Sequence, residues 1–400
     1  MSSVGKHGLT ILFKVEHSHA FFCSTLVNFA HRVQALANSS RTEGCAVVAA
    51  PEEPSIGAVP DVFLSGLLFY DIGFTGLDTP PAPGTEIWTK GMGSSPGGIA
   101  NFAVALSRLG LRTSLAAAFG DDLTGTQLWE ELAGTEKVDL SHSRRFAGWP
   151  TPITVSLAYD GDRALVTHGQ APPLSPDELI GTPPPSRAAV AHLGPEPQTW
   201  IRRATEAGTM VFADAGWEEA ERWGGAVLEQ LALCHAFLPN ADEAMAYTRT
   251  ATPQAALSRL ADLVPLAVVT CGSEGAYAVD STTGESASVR GLKVDALDAT
   301  GAGDVFGAAL VAATLAGWPL ADRLRFANLV ASLSVQRIGG AAAAPRWPDI
   351  ALWWRALATA PKAADLRREY AFLDDVIPSP EPTNGPFTGT AEHVEQHVEP

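Results

Sequence analysis

From about residue 62 onward, short apolar runs alternate with helix-compatible ones, and few folds accept that pattern. The runs "VFLSGLLFY" (62–70), "TSLAAAFG" (113–120), "AAVAHLG" (188–194), "TMVFADAG" (209–216), "HAFLPN" (235–240) and "LAVVTCG" (266–272) each read as a buried strand. Helical or turn segments follow them, among them "GIANFAVALSRLG" (98–110), which stops at Gly110, and "DLTGTQLWEELAG" (122–134). Strands that are apolar throughout must be covered on both faces, so the alternation predicts an α/β fold with a mostly parallel sheet between helices. Two stretches break the rhythm: "GTEIWTKGMG" (84–93) and "TPITVSLAYDGDRALVTHG" (151–169), which turns at "DGD". They predict a small sheet, with segments at about 84–95 and 150–170, that is either an edge extension or a lid.

The ends differ in composition from the middle. Residues 1–58 mix apolar patches with Ser, His and Glu and run into "AAPEEPSIGAVPD", which reads as a poorly ordered extension and linker. Residues 361–400 close on the Pro-rich, acidic "IPSPEPTNGPFTGTAEHVEQHVEP" and read as a largely disordered tail. The main domain is therefore expected at 59–360. A formal net charge of −17 argues against nucleic acid, though not against anionic nucleotides, since a bound Mg²⁺ and local dipoles outweigh a distant field. The four cysteines include no CxxC pair, which suits a reduced, cytoplasmic setting. No apolar run reaches the ~18 residues of a membrane span. Lys6 and Lys14 border a stretch broken by His and Glu, unlike a signal peptide.

The chemistry concentrates in "DATGAGDVFGAAL" (298–310). Gly301 and Gly303 permit tight backbone turns, and the apolar run after them predicts a buried helix starting near Ala302. Such a helix would aim the amides of Gly301, Ala302 and Gly303 at an anion, phosphate above all. Asp304, in the first turn, could then accept a proton from a hydroxyl attacking that phosphate. The same string also reads as a turn with a capping aspartate.

Other segments share this divided character. Gly97 and Gly98 allow close approach to the backbone, and Asn101 offers donor and acceptor to a hydroxyl, or caps a strand-to-helix turn. Asp71 follows a predicted buried strand, at the edge where α/β sheets bind ligands. Glu243 stands three residues after Asn240, as a capping box would have it. Thr270, Gly272 and Gly275 form a loop after a strand.

Taken in order, these motifs resemble the ribokinase-like (PfkB) carbohydrate kinases over about residues 61–350. "DATGAGD" is similar to that family's D-T-x-G-A-G-D, "SPGGIANFAVALSRLGL" to its Gly-Gly…Asn signature, and "FGDDLTG" to its G-x-D-x-x-G element. "LPNADEA" resembles N-x-x-E, "VTCGSEGAY" the T-x-G-x-x-G nucleotide loop, and "ANLVASLSVQRIGGAAAAP" the closing helix and loop. The resemblance implies a three-layer α/β/α domain with a small β-rich lid, through which two copies could pair as a homodimer. It implies ATP-dependent phosphorylation of a sugar hydroxyl, with Asp304 as base and the Gly301–Gly303 amides as anion hole. It places the acceptor at Asp71, Gly97, Gly98 and Asn101, and ATP at Asn240, Thr270, Gly272, Gly275 and Asn328. It assigns Glu243 to Mg²⁺ through water, and Asp298 with Thr300 to a monovalent cation such as K⁺. Asp298 equally reads as a hydrogen-bond acceptor for the adjacent turn amides. The chain departs from the family in its P-G-G-I-A-N spacing, and in placing Gly194-Pro195, with Glu196 beyond, where some sugar kinases have a sugar-binding glutamate. A neutral sugar is the expected acceptor, with a nucleoside, a phosphosugar, or a catalytically inactive binding role as alternatives. A phosphosugar would need cations, for which Lys90 and Arg163 are the visible candidates.

Overall fold

The computed structural model describes residues 59–159, 162–215, 225–360 and 363–378. The expected extension at 1–58 and the end of the tail lie outside them. In chain order the strands are β1 (Val62–Ser65), β2 (Leu68–Thr75), β3 (Gly91–Gly98), β4 (Thr113–Ala116), β5 (Ala118–Gly120), β6 (Arg144–Phe146) and β7 (Ile153–Tyr159). Then come β8 (Asp162–His168), β9 (Ala188–His192), β10 (Met210–Asp214), β11 (Ala236–Phe237), β12 (Leu266–Thr270), β13 (Ala276–Asp280) and β14 (Glu285–Val289).

Eight of these form one sheet in the order β14-β13-β12-β11-β10-β9-β1-β4. It is parallel from β4 to β12 and antiparallel in the β12–β13 and β13–β14 pairs. Phe63, Val190, Phe212, Phe237 and Val268 on its strands are fully buried, as strands covered on both faces require. The α/β class and the mostly parallel sheet are as the alternation predicts.

A second sheet of four strands has the order β3-β2-β7-β8. It is the expected small sheet with different boundaries. "VFLSGLLFY" is not one strand. It breaks at Gly66-Leu67, where a Cβ on Gly66 would lie 3.0 Å from Ile99 Cβ. β1 stays in the main sheet, while β2 crosses into the small one and carries Asp71 in its middle rather than after its end. Residues 84–90 form no strand; pairing with β2 runs from Gly91 to Gly98 and takes in the whole glycine motif. "TSLAAAFG" also divides, at Ala117, whose N–H donates to the Ser143 side chain, to Oγ at 3.1 Å, rather than to a strand carbonyl. β4 joins the main sheet and β5 pairs with β6.

The chain separates into two compact units at Arg346–Trp347, earlier than the boundary at 360 expected from composition. The second unit holds helices Trp347–Thr359, Ala364–Glu369 and Leu373–Val376. Trp353 packs edge-on against Tyr370, and Trp354 Nε1 donates to Asp374 at 2.7 Å, so the tail keeps ordered structure well past 361. Among the described residues no helix is long and apolar enough to cross a membrane.

Candidate active site

Helix Ala302–Leu315 begins at Gly301, whose φ of 71° lies in the left-handed region, and no side chain caps that end. Eight of its residues, from Val305 to Ala313, are buried, which accounts for the charge-free run after Asp304. It packs on helix Ile99–Arg108 at Gly307, where any Cβ would sit 2.5 Å from the Phe102 ring. That close crossing lets Asn101 Nδ2 donate to Asp304 Oδ2 at 2.8 Å across 203 residues of sequence. Asn101 Oδ1 is buried and has no hydrogen-bond partner in the protein. The Ala302 amide is already taken by the Ala299 carbonyl at 3.2 Å, so the expected three-amide anion hole is reduced to Gly301 and Gly303. Space around Gly303 is open.

Asp71 approaches the same place from the small sheet. A Cβ on Gly97 would lie 2.0 Å from Asp71 Oδ2, so glycine at 97 is what lets the carboxylate rest against β3. Gly98, with φ at 60°, has Leu67 O where a Cβ would be (2.3 Å). Burial and the charge of Asp298 raise the Asp71 carboxyl to about 7. Burial, then the neighbouring Asp214, raise Asp304 to about 7 as well, against the opposing pull of His192 and Asn101.

His192 and Asp214 were not singled out by sequence. They end β9 and β10 and are register partners, with His192 Nε2 3.5 Å from Asp214 Oδ2. One ligating atom each from His192, Asp214 and Asp304 lies within 4.8 Å of the others. Burial opposes the imidazolium, but the bond to Asp214 and the charges of Asp214, Asp304 and Glu243 outweigh it and raise His192. The available signal was a polar residue closing an apolar strand at the carboxyl edge. Glu196, noted for its position, is exposed and His192 occupies the strand end instead.

The expected nucleotide residues divide. Asn240, Thr270 and Gly272 share one cavity of about 360 Å³, joined by a bridge between Asn240 and Thr270. Gly275 is structural: its φ is 107° and a Cβ would meet Val289 O at 2.0 Å. Asn328 turns its amide to the carbonyls of Val289 and Arg290 at 3.4 and 3.3 Å, so it braces this loop rather than facing the cavity. Glu243 does form the capping box, accepting from the Asn240 amide at 3.0 Å. It is also raised to about 7, by burial and then by Asp214 and Asp304, so it faces the carboxylate cluster too. Asp298 accepts from the amides of Thr300 and Gly339, both at 2.9 Å, which is the turn role anticipated for it. Thr300 Oγ1 is buried without a partner.

A family model described as pfkB family carbohydrate kinase matches residues 74–191 and 195–347. The chain belongs to the PfkB family. It is accordingly a member of a phosphotransferase family with the ribokinase fold. This PfkB chain is 29% identical to a nucleoside kinase of Methanothermobacter thermautotrophicus, over 66% of its own length and 85% of the relative's. It is 28% identical to the bifunctional protein HldE of Methylobacillus flagellatus over 70% of its own length, but spans only 59% of that protein. Arabidopsis thaliana ribokinase, solved with ribose and ATP, superposes with a TM-score of 0.60 at 25% identity, covering 72% of this chain and 96% of that one.

Proposed function

We propose that this protein transfers the γ-phosphate of ATP to a hydroxyl of an unphosphorylated, sugar-containing acceptor. The observation that carries the reading is Asp304: a carboxylate held by Asn101 at an uncapped helix start and faced by Asp71 from the small sheet. Asp304 takes the proton of the attacking hydroxyl, while the open amides of Gly301 and Gly303 and the helix dipole hold the transferring phosphoryl group. Asp71 and Asn101 accept and donate to acceptor hydroxyls. The cavity at Asn240, Thr270 and Gly272 seats the nucleotide. The charge of Asp214 raises both Asp304 and Glu243, and that of Asp304 raises Glu243, an excess of negative charge that suits a divalent cation held by Asp214 and, through water, by Glu243. Mg²⁺ bound there would neutralise charge on the β- and γ-phosphates. The small sheet covers the acceptor and keeps water from the phosphoryl group.

An unphosphorylated acceptor is favoured by the placement of the two cations considered for a second phosphate. Lys90 is exposed and paired with Asp78 at 2.7 Å, and Arg163 is exposed on β8. ADP release is expected with a sugar or nucleoside acceptor, and not with the matching acceptor phosphate. Preference for the phosphate in that assay, or binding without turnover across the panel, would overturn the reading.

Three further outcomes are expected. With Asp304 raised to about 7, kcat/KM is expected to rise with pH through that value, as the carboxylate is freed to act as base. Stability runs the other way. Asp71, Asp304 and Glu243 bind protons more tightly folded than unfolded, so the ligand-free protein should lose stability as pH climbs from about 4 to about 7. Melting temperatures across that range test the sign. The unpartnered Thr300 hydroxyl beside Asp298 supports a monovalent cation. The rate is expected to increase when K⁺ replaces a bulky organic cation at constant ionic strength; equal rates would remove that site.

A further inference from the structure

Resting on the kinase reading above, we infer that the acceptor is a nucleoside, its heterocyclic base seated in an apolar pocket that opens beside His192. The pocket has a volume of about 760 Å³, well inside the ~300–1,000 Å³ of small-molecule sites. It lies where β1 and β9 end and β5 begins, and His192 belongs both to its wall and to the cluster around Asp304. A sugar hydroxyl at Asp304 therefore leaves the far side of the sugar pointing along this pocket.

The walls define what can fill it. Leu67, Phe69, Pro172, Leu174, Leu179 and Val227 present carbon. Leu67 is 48% exposed although it sits in the fold's interior edge, an apolar surface left for something to cover. Three of the polar side chains in the lining are bonded within the protein. Ser65 Oγ donates to Ala116 O at 3.2 Å. Gln198 donates to His192 O and accepts from Trp200 Nε1, both at 2.7 Å. Ser175 caps the helix Pro176–Ile180. Among the described residues no lysine or arginine lines the pocket.

A hydroxyl-rich ring or a phosphate pushed into these walls would lose its water without replacement, a cost for each polar group left unpaired. A flat heterocycle presents two apolar faces to such walls and keeps its polar edge towards the opening. A free monosaccharide would leave the pocket empty. With Ser65, Ser175 and Gln198 bonded within the protein and the rest of the wall largely carbon, the base is held mainly by shape and stacking, and purines and pyrimidines should be discriminated only weakly.

The test compares ribose with adenosine, guanosine and cytidine, by acceptor-dependent ADP release and by calorimetric binding to the full chain. The nucleosides are expected to exceed ribose at least ~100-fold in kcat/KM, the scale of about 2.7 kcal/mol of base burial, and to differ less among themselves. Leu67→Asp and, separately, Leu174→Asp should raise KM for nucleosides and leave weak ribose turnover unchanged, with melting curves confirming the fold. Ribose used as well as any nucleoside, or nucleoside KM indifferent to both substitutions, would overturn the inference and leave the kinase reading standing. Nucleoside binding that is weakened by these substitutions but never accompanied by ADP release would support the pocket and sink the kinase reading instead.

Discussion

Asp304→Asn is expected to slow acceptor-dependent ADP release by about 10²–10⁴-fold, the usual loss on removing a general base, or roughly 3–5 kcal/mol at 1.36 kcal/mol per decade. The amide is nearly isosteric, and its oxygen can still accept from Asn101 Nδ2 across the helix crossing at Gly307. The variant should therefore melt no lower than the parent. It should even gain, because the parent must bury a carboxylate whose ionisation is opposed by its surroundings. ATP binding should persist, since the amides of Gly301 and Gly303 are untouched. Asp298→Asn is the control. Asp298 accepts two backbone amides, and an NH₂ group in place of one oxygen would face an N–H donor. Its loss should appear mainly as lowered melting temperature. A folded Asp304→Asn enzyme within about threefold of the parent (~0.7 kcal/mol) would reduce the aspartate to a helix-start residue.

The largest effect on stability is expected at Arg108, which closes the helix bearing Asn101. Its guanidinium binds Glu136 through two nitrogens at 3.0 and 2.8 Å and donates to the carbonyls of Ala342 and Ala344. The Glu136 side chain is 3% exposed, and although burial opposes its charge, Arg108 and Arg346 hold its carboxyl below the usual range. Removing one partner of a buried pair costs about 3–5 kcal/mol. Arg108→Ala should fall towards the lower figure, because Arg346 still reaches Glu136 at 3.0 Å. The depressed pKa gives the sign with pH: the pair's contribution is present above the ordinary glutamate value and is lost as pH falls through the depressed one. Urea unfolding of the parent and Arg108→Ala should thus diverge at neutral pH and converge in acid. Joint replacement of Arg108 and Glu136 by Met should recover much of the loss. An Arg108→Ala midpoint unchanged at pH 7 would show that the pair stabilises nothing.

The parts of the fold legible in sequence were those that physics writes locally. Apolar strands such as "LAVVT" announce burial on both faces, and the charge-free run after Asp304 announces an interior helix. The capping geometry at Asn240 and Glu243 is likewise a three-residue matter. β3 was expected too early, at 84–95, because "GMGSSPGG" has little β propensity of its own and only pairing with β2 makes it a strand. Asp71 was misplaced because the break at Gly66-Leu67 is dictated by Ile99, more than thirty positions away. His192 and Asp214 meet through the β9–β10 register, and Asn328 turns away from the cavity towards a loop that precedes it in sequence. Each miss is a contact between distant segments, which no local pattern encodes.

β3 and the helix carrying Asn101 are consecutive, with Gly98 as both the last residue of the strand and the residue before the helix. A sheet that swings over a ligand must therefore pull on the very segment that steadies the Asp304 carboxylate, with the strain concentrated at one glycine whose φ is 60°. On the proposed kinase reading, roofing the acceptor and aiming the base would be linked as a latch is linked to its bolt. A side chain at 98 would meet Leu67 O at 2.3 Å, so the joint itself admits only glycine and the two movements stay coupled.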